Sequence, residues 1–435
     1  MGLGRALGAW LLALTCSATV LAGEPFTRDA SADPLRVKGD IQVWSWNIAA
    51  ASLDKLVPGF RQLYPNCEVH VNMSGANLQS RFLLSLSAGV GAPDISQLQC
   101  REAPRYAVTG KLTDLTPVAG KYAQAFVPSF WDNCVYQGRI YAIPWDIGPC
   151  GVFYKRSLFE RYGIDPEAIE TWDDYIEAGK RLLERSNGGT KMLFLATGQL
   201  TDTFELLLQQ NGGQVFDAEG RIAVNSPETI ETLEVLQKLL DSGIGANAPF
   251  WSHEFLASLR SDSVATYPIA AWFGGTIRDY APETSGDWGV FRLPAFRPGG
   301  LRTSNLGGSV LVIPDQCKQK DAAWAYIEYA LCTPGPQIEQ YRNFDLYPAL
   351  LCTHQDPFFD EPVPFFGGQN VRRLFSLDIE KISTMNRTTD WMEALRYVTQ
   401  ALSKWASGDK MPPTVLLAQL EDKLARRLNR EIAPR

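Results

Sequence analysis

Residues 41–46, IQVWSW, form a short β-branched and aromatic run that stops at a polar step, Asn47. A helical pattern from Leu53 to Tyr64 follows it, then a second strand signal from Cys67 to Val71 and a second helix from Leu78 to Ala88. Gly89 and Gly91-Ala-Pro93 close that helix, and Asp94 to Leu98 is a third short strand. The order βαβαβ implies a parallel sheet with helices on both faces and a ligand beyond the carboxyl ends of its strands. Trp46, Asn47, Gln99 and Glu102 stand at such ends.

The alternation continues downstream. Between Tyr141 and Tyr154 the chain reads YAIPWDIGPCGVFY, whose Pro144, Asp146, Gly148 and Pro149 break any single sheet strand. It reads as one strand leaving a first lobe, a crossing, and another strand entering a second. Thr171-Trp-Asp-Asp174 opens a helix running to Leu183, with Thr171 accepting from first-turn N–H groups and the acidic pair at the positive end of the dipole. Further helices are predicted at Asp202 to Asn211, Pro227 to Ser242, Asp321 to Leu331, Trp391 to Trp405 and Thr414 to Asn429. Strands are predicted at Ser263 to Ile269, Gly289 to Pro294 and Val310 to Pro314.

Composition narrows the function. The 435 residues carry 41 Lys+Arg against 48 Asp+Glu, a net charge of −7, and 45% are hydrophobic, enough for two or three domains with real cores. Without a basic stripe the chain does not read as a nucleic-acid binder. Met1 to Ala22 reads as an export leader: Arg5, an apolar stretch from Ala6 to Leu14, and a small-residue exit before Gly23. A lipid anchor on Cys16 is the alternative, although Thr15 stands where a lipobox wants a small residue. Removing the leader leaves seven cysteines, expected to give a disulfide or two plus buried thiols in an oxidising compartment. His70, His253 and His354 lie far apart and no CxxC occurs, so no metal site is expected.

Several stretches together resemble the extracellular solute-binding proteins, family 1, of ABC importers, the carbohydrate-binding group that includes maltose-binding protein. They are Gly91-Ala-Pro-Asp-Ile95, Gly110-Lys-Leu-Thr-Asp-Leu115, Tyr141-Ala-Ile-Pro-Trp-Asp146, Val152-Phe-Tyr-Lys-Arg-Ser-Leu-Phe-Glu160 and Thr171-Trp-Asp-Asp174. Asn211-Gly-Gly213, Trp288-Gly-Val-Phe-Arg-Leu-Pro294, Asn305-Leu-Gly-Gly308 and Val312-Ile-Pro314 continue the pattern in order. The resemblance implies an α/β, two-lobed periplasmic-binding-protein fold, type II-like, with three interlobe crossings and a cleft between the lobes. The crossings are expected near Pro144 to Gly148, Pro294 to Pro298 and Tyr347 to Leu351. The lobes would comprise residues 36–146 with 297–347, and 147–296 with 348–435.

A pyranose offers an apolar C–H face and a rim of hydroxyls, so its site needs aromatic faces and short polar groups. The stacking candidates are Trp46, Trp145, Trp272 and Tyr347. The polar candidates are Asn47, Asn77, Gln99, Glu102 and Asp146, with backbone N–H groups of Gly274, Gly307 and Gly308, where no Cβ blocks approach. Trp172, Trp288 and Trp324 read as structural. The expected protein is a periplasmic or lipid-anchored monomer that captures a sugar or oligosaccharide and delivers it to membrane permease subunits, without cofactor or bond chemistry. Two readings stay open. A secreted glycan hydrolase would need two carboxylates facing one bond, and only sequence proximity nominates Asp173 and Asp174. A binder of polyamine, glycerol phosphate or peptide would share the fold, but a phosphate ester wants a basic cluster at a helix start.

Overall fold

The computed structural model describes residues 26–27, 33–75, 77–408 and 411–434, so the expected leader lies outside it. β1 (Gly39–Ser45), α1 (Asn47–Leu63), β2 (Cys67–Met73), α2 (Leu78–Ala88) and β3 (Ile95–Gln99) alternate as the sequence implies. β1 pairs in parallel with β2 and β3. The short β4 (Ile143–Pro144) then leads out of this lobe.

In the second lobe β5 (Cys150–Lys155) is followed by α3 (Trp172–Arg185), α4 (Thr201–Gln210), α5 (Pro227–Asp241), β6 (Thr266–Ala270), α6 (Phe273–Tyr280) and β7 (Trp288–Arg292). β5 is central, with β6 and β7 antiparallel on its flanks. β8 (Ser309–Val312) then returns to the first sheet, antiparallel between β3 and β4, for the order β2-β1-β3-β8-β4. α7 (Lys320–Leu331) and α8 (Pro334–Phe344) pack on α1, and α9 (Trp391–Ser407) pairs with α10 (Pro413–Leu428).

Among the helices of eight or more residues, two were not read from the sequence. α8 starts inside Thr333-Pro-Gly-Pro336, which looks like a breaker; proline is tolerated there because first-turn N–H groups need no partner. α6 starts at Phe273, so the Trp272 to Gly275 run is a helix start rather than a turn. The acidic pair of α3 has the capping role. Asp174 N–H donates to Thr171 Oγ1 at 3.2 Å, Thr171 N–H donates to Asp174 Oδ2 at 2.8 Å, and Asp173 pairs with Lys238 at 2.8 Å.

The first-lobe core gathers Ile41, Val43, Leu53, Phe60, Leu98, Leu311 and Trp324, and the second-lobe core Val152, Tyr175, Leu208, Phe291, Trp391 and Trp405, all buried. Trp172, Trp288 and Trp324 are core, as read. Phe153 of β5 meets Phe366 and Phe375 at 5.9 and 5.7 Å, so the first-lobe cluster continues onto one face of the second sheet. No disulfide joins the seven cysteines among the described residues, which corrects the expected bridges; five of them are buried.

The crossings form a three-stranded hinge. Residues 145–150 run antiparallel to 304–309 on one side: Leu306 N–H donates to Gly148 O at 2.9 Å, Cys150 N–H to Ser304 O at 2.9 Å, and Trp145 N–H to Ser309 O at 2.9 Å. On the other side Ile147 N–H donates to Tyr347 O at 2.9 Å and Ala349 N–H to Trp145 O at 3.1 Å. The second crossing therefore sits at Ser304 to Gly308, not at Pro294 to Pro298. That earlier segment is tied to the second lobe, where Gln210 Nε2 donates to Pro294 O and Leu301 O, both at 2.8 Å. The third hinge strand, Tyr347 to Ala349, lies in the expected stretch; Leu350 beyond it pairs with Phe126 of the first lobe, and Phe365 O further on accepts from Gly286 N–H of the second.

A Cβ on Gly148 would lie 2.0 Å from Leu306 O and 3.1 Å from Ala270 Cβ. Gly148→Ala should lower unfolding free energy by about 3 kcal/mol, at the upper end of ordinary point substitutions. Urea denaturation showing less than about 1 kcal/mol would mean that the hinge strands separate easily.

Candidate functional site

The hinge brings three sequence candidates together. Trp272 is partly buried, packs against both cores, and donates from Nε1 to Leu306 O at 3.0 Å, which pins the indole to the second crossing strand. Gly307 sits beside it with φ +94°, and a Cβ there would come 3.4 Å from Trp272 Nε1. Gly308 is also left-handed, at φ +106°, and has no room for a side chain: a Cβ would lie 2.4 Å from Phe130 Cε1 and 2.9 Å from Asp146 O. Neither glycine N–H donates a backbone bond among the described residues, so both stay open to a ligand oxygen.

Asp146 lies at the centre of the hinge. Its backbone pairs with Ser309 and Pro348, and its Oδ1 is sealed from solvent with no hydrogen-bond partner among the described residues. Burial pushes the carboxyl up to about 6, against the pull of a hydrogen bond from Ser309. A buried acceptor without a donor is costly, and a ligand hydroxyl would relieve it.

Other candidates behave differently. Trp145 is 1% exposed and donates from Nε1 to Gln340 Oε1 at 2.7 Å, while Tyr347, also 1% exposed, packs on Tyr341 at 4.9 Å. Both are core, a correction to their assignment as stacking faces: each polar tip found a partner inside the protein. Gly274 N–H is spent on Ala271 O at 3.0 Å inside the start of α6, and a Cβ would meet Phe366 at 3.2 Å. Glu102 is buried beside Arg105, and burial raises its carboxyl above the ordinary range. Trp46 is partly buried at the N-terminus of α1, and Asn47 is exposed with φ +48°. Asn77 is exposed and makes no side-chain cap bond to α2.

The structure adds residues that the sequence reading missed. Trp251 is 49% exposed, has φ +66°, and stacks on Trp272 with centroids 6.1 Å apart and planes at 23°. Together they make an aromatic platform. Arg101, on the turn after β3, donates from Nε to Gln99 Oε1 at 2.9 Å and from Nη1 to Glu205 Oε2 of α4 at 3.2 Å. Arg387, before α9, is partly buried and lies near enough to interact electrostatically with the same carboxylate; among the described residues Glu205 Oε1 and Arg387 Nε have no hydrogen-bond partner. Asp202, Glu205 and Gln209 share one face of α4 at i, i+3 and i+7. That polar stripe within an apolar helix was the available signal.

A cavity of about 440 Å³ opens beside Arg387, between Asp132, Tyr136 and Gln137 of the first lobe and Asp217, Thr384 and Asn386 of the second. Among the described residues no group of His, Cys, Asp or Glu is placed to hold a metal ion, and no helix is long and apolar enough to cross a membrane.

Two α/β lobes joined by a strand hinge, with aromatic and polar groups gathered where they meet, define a two-lobed solute-binding fold. The chain belongs to the bacterial extracellular solute-binding protein family, whose profile matches residues 44–333. It is 26% identical over 352 residues to the arabinooligosaccharide-binding protein of Halalkalibacterium halodurans, covering 79% of this chain and 76% of that one. It superimposes on the sugar-binding protein MalE of Xanthomonas citri with a TM-score of 0.76 at 19% identity, covering 90% of this chain and 98% of that one. The transporter-associated binding protein of B. animalis subsp. lactis, solved with β-1,6-galactobiose, gives a TM-score of 0.72 at 24% identity, with 90% and 97% covered.

Asp146 generates a pH prediction. Its ordinary value of 3.8 applies to the unfolded chain and about 6 to the folded one. Between these the native state binds the extra proton, so its contribution to stability is present at low pH and lost as pH rises through about 6. Asp146→Asn should therefore raise the melting temperature of the empty protein at pH 8, by the equivalent of about 1–3 kcal/mol, and give no gain near pH 4. An equal effect at both pH values would exclude titration of this group.

Proposed function

We propose that this chain is the sugar-capturing subunit of an ABC importer, which binds a small saccharide between its lobes and presents both lobes to membrane permease subunits. The observation that carries the reading is the Trp251–Trp272 platform, pinned by Leu306 O beside the open N–H groups of Gly307 and Gly308. Apolar sugar faces stack on such indoles, while their hydroxyls seek short polar groups such as Asp146 and Asn47. The relatives named above support a carbohydrate ligand. The protein acts outside the cytoplasmic membrane as a monomer, exported by its leader and free in the periplasm. It acts as a binder without bond chemistry; the one carboxylate pair that sequence proximity nominates for a hydrolase, Asp173 and Asp174, is engaged in an ion pair and a helix cap.

A ligand stabilises the closed form only through contacts that differ between open and closed states, so residues of both lobes contribute. In a thermal-shift panel of arabino-oligosaccharides, lactose, β-1,6-galactobiose, spermidine and a tripeptide, a sugar at 100 times its Kd adds about 2.7 kcal/mol. A shift with spermidine or peptide alone would overturn the saccharide assignment.

Trp272→Ala should abolish most of that sugar shift while changing the melting of the empty protein little, and Trp251→Ala should weaken binding less. Trp145→Ala serves as the contrast, since emptying a core tryptophan site costs about 3–5 kcal/mol. Unaltered sugar binding in Trp272→Ala by calorimetry would remove the platform from the site.

A further inference from the structure

The lobes also meet through charge. Arg101 belongs to the first lobe, one residue from Cys100 in that core, and Glu205 to the second, between Phe204 and Leu206 of its core. Their contact therefore bridges the cleft. Gln99 aims the guanidinium by accepting from Nε at 2.9 Å, and Nη1 reaches Glu205 Oε2 at 3.2 Å. Glu205 is only 4% exposed. Alongside, Thr384 of the second lobe donates from Oγ1 to Asp132 Oδ2 of the first at 2.7 Å. Both bonds join one lobe to the other, so both are lost if the lobes swing apart about the hinge.

Removing the cleft-facing carboxylate from water is expensive, and a fold that only needed two lobes would leave it solvated. Its burial is offset by the charge of Arg101, which bonds it, and by that of Arg387 nearby. A pair that is complete only in the closed arrangement biases the lobes toward closure before any ligand arrives.

We propose that Arg101 and Glu205 form an interlobe latch that holds the empty protein in a closed or nearly closed form, with Thr384 and Asp132 as a weaker second bar. The latch rests on the two-lobed binding-protein reading but not on the ligand's being a sugar. Its consequence is for affinity: apparent affinity scales with the fraction of protein already competent to bind, so the latch sets how much of the ligand's contact energy goes into closing the lobes.

The test uses the full mature chain with no ligand added, so its outcome is independent of the ligand's identity. Small-angle X-ray scattering of the empty protein should fit this closed arrangement. Glu205→Gln, nearly isosteric, and Arg101→Ala should each give a larger radius of gyration, with about tenfold less closed form, the weight of a hydrogen bond to a charged group. The double variant Arg101→Ala/Glu205→Gln should be no more open than the more open single, because both remove one interaction. Thr384→Val should open the protein less. Far-ultraviolet circular dichroism and urea unfolding separate opening from misfolding, and Arg101→Lys, which keeps the charge, should recover part of the closed form. Scattering curves for Glu205→Gln and Arg101→Ala that superimpose on the wild type would overturn the latch, as would single effects that add in the double variant.

Discussion

The antiparallel ladder at the hinge is the constraint on which the rest of the structure depends. Residues 145–150 are held between 304–309 and 347–349 by backbone hydrogen bonds, and Gly148 lets two of these strands approach more closely than any side chain allows. Backbone donors buried at a lobe boundary must be paired, and pairing them with each other leaves the side chains of the crossing strands free to face the cleft. Asp146, Leu306 and Gly307 are therefore placed by main-chain geometry rather than by their own packing. Bending at this ladder is also the motion that its three strands allow.

Around the hinge, the fate of each aromatic follows from where its polar atom finds a partner. Trp145 finds Gln340 and Tyr347 finds the carbonyl of Arg372, both inside the protein, so their rings sink into the core. Trp272 finds Leu306 O at the edge of the crossing, which leaves part of its ring to be shared with Trp251. The same logic orders the carboxylates. Asp174 is consumed by a helix cap, Glu102 by its own lobe, and Glu205 by a guanidinium across the cleft. Asp146 keeps a sealed oxygen with no hydrogen-bond partner among the described residues, at the crossing itself.

Much of the fold was legible because local patterns and tertiary demands agree. The strand–helix alternation of residues 41–98 became a parallel 2-1-3 arrangement, α2 spans Leu78–Ala88 as read, and Thr171 caps α3 with a reciprocal bond. Where they disagree, the reading slipped. Pro334 and Pro336 hid a helix that the sequence reading did not assign, because they occupy its first turn. Proline near residues 294–298 suggested a crossing, yet α4 holds that segment through Gln210. Trp272, Gly307 and Asp146 were singled out because hinge punctuation surrounds them, and they do gather at the hinge. Trp251, Arg101 and Glu205 were not, since nothing local says that residues 101 and 205 face each other.

The sequence by itself determined an α/β chain whose apolar runs build two cores and whose broken stretch at residues 141–154 must cross between them. Those are properties of periodicity and composition, and they survive any arrangement of the lobes. The tertiary structure alone decided which tryptophans are buried and which stay partly exposed, where the second crossing runs, that no disulfide joins the described cysteines, and that a carboxylate from one lobe lies against a guanidinium from the other. Each of these depends on distances between residues a hundred or more positions apart, fixed by how the hinge strands pair and the two lobes close, which local sequence does not encode.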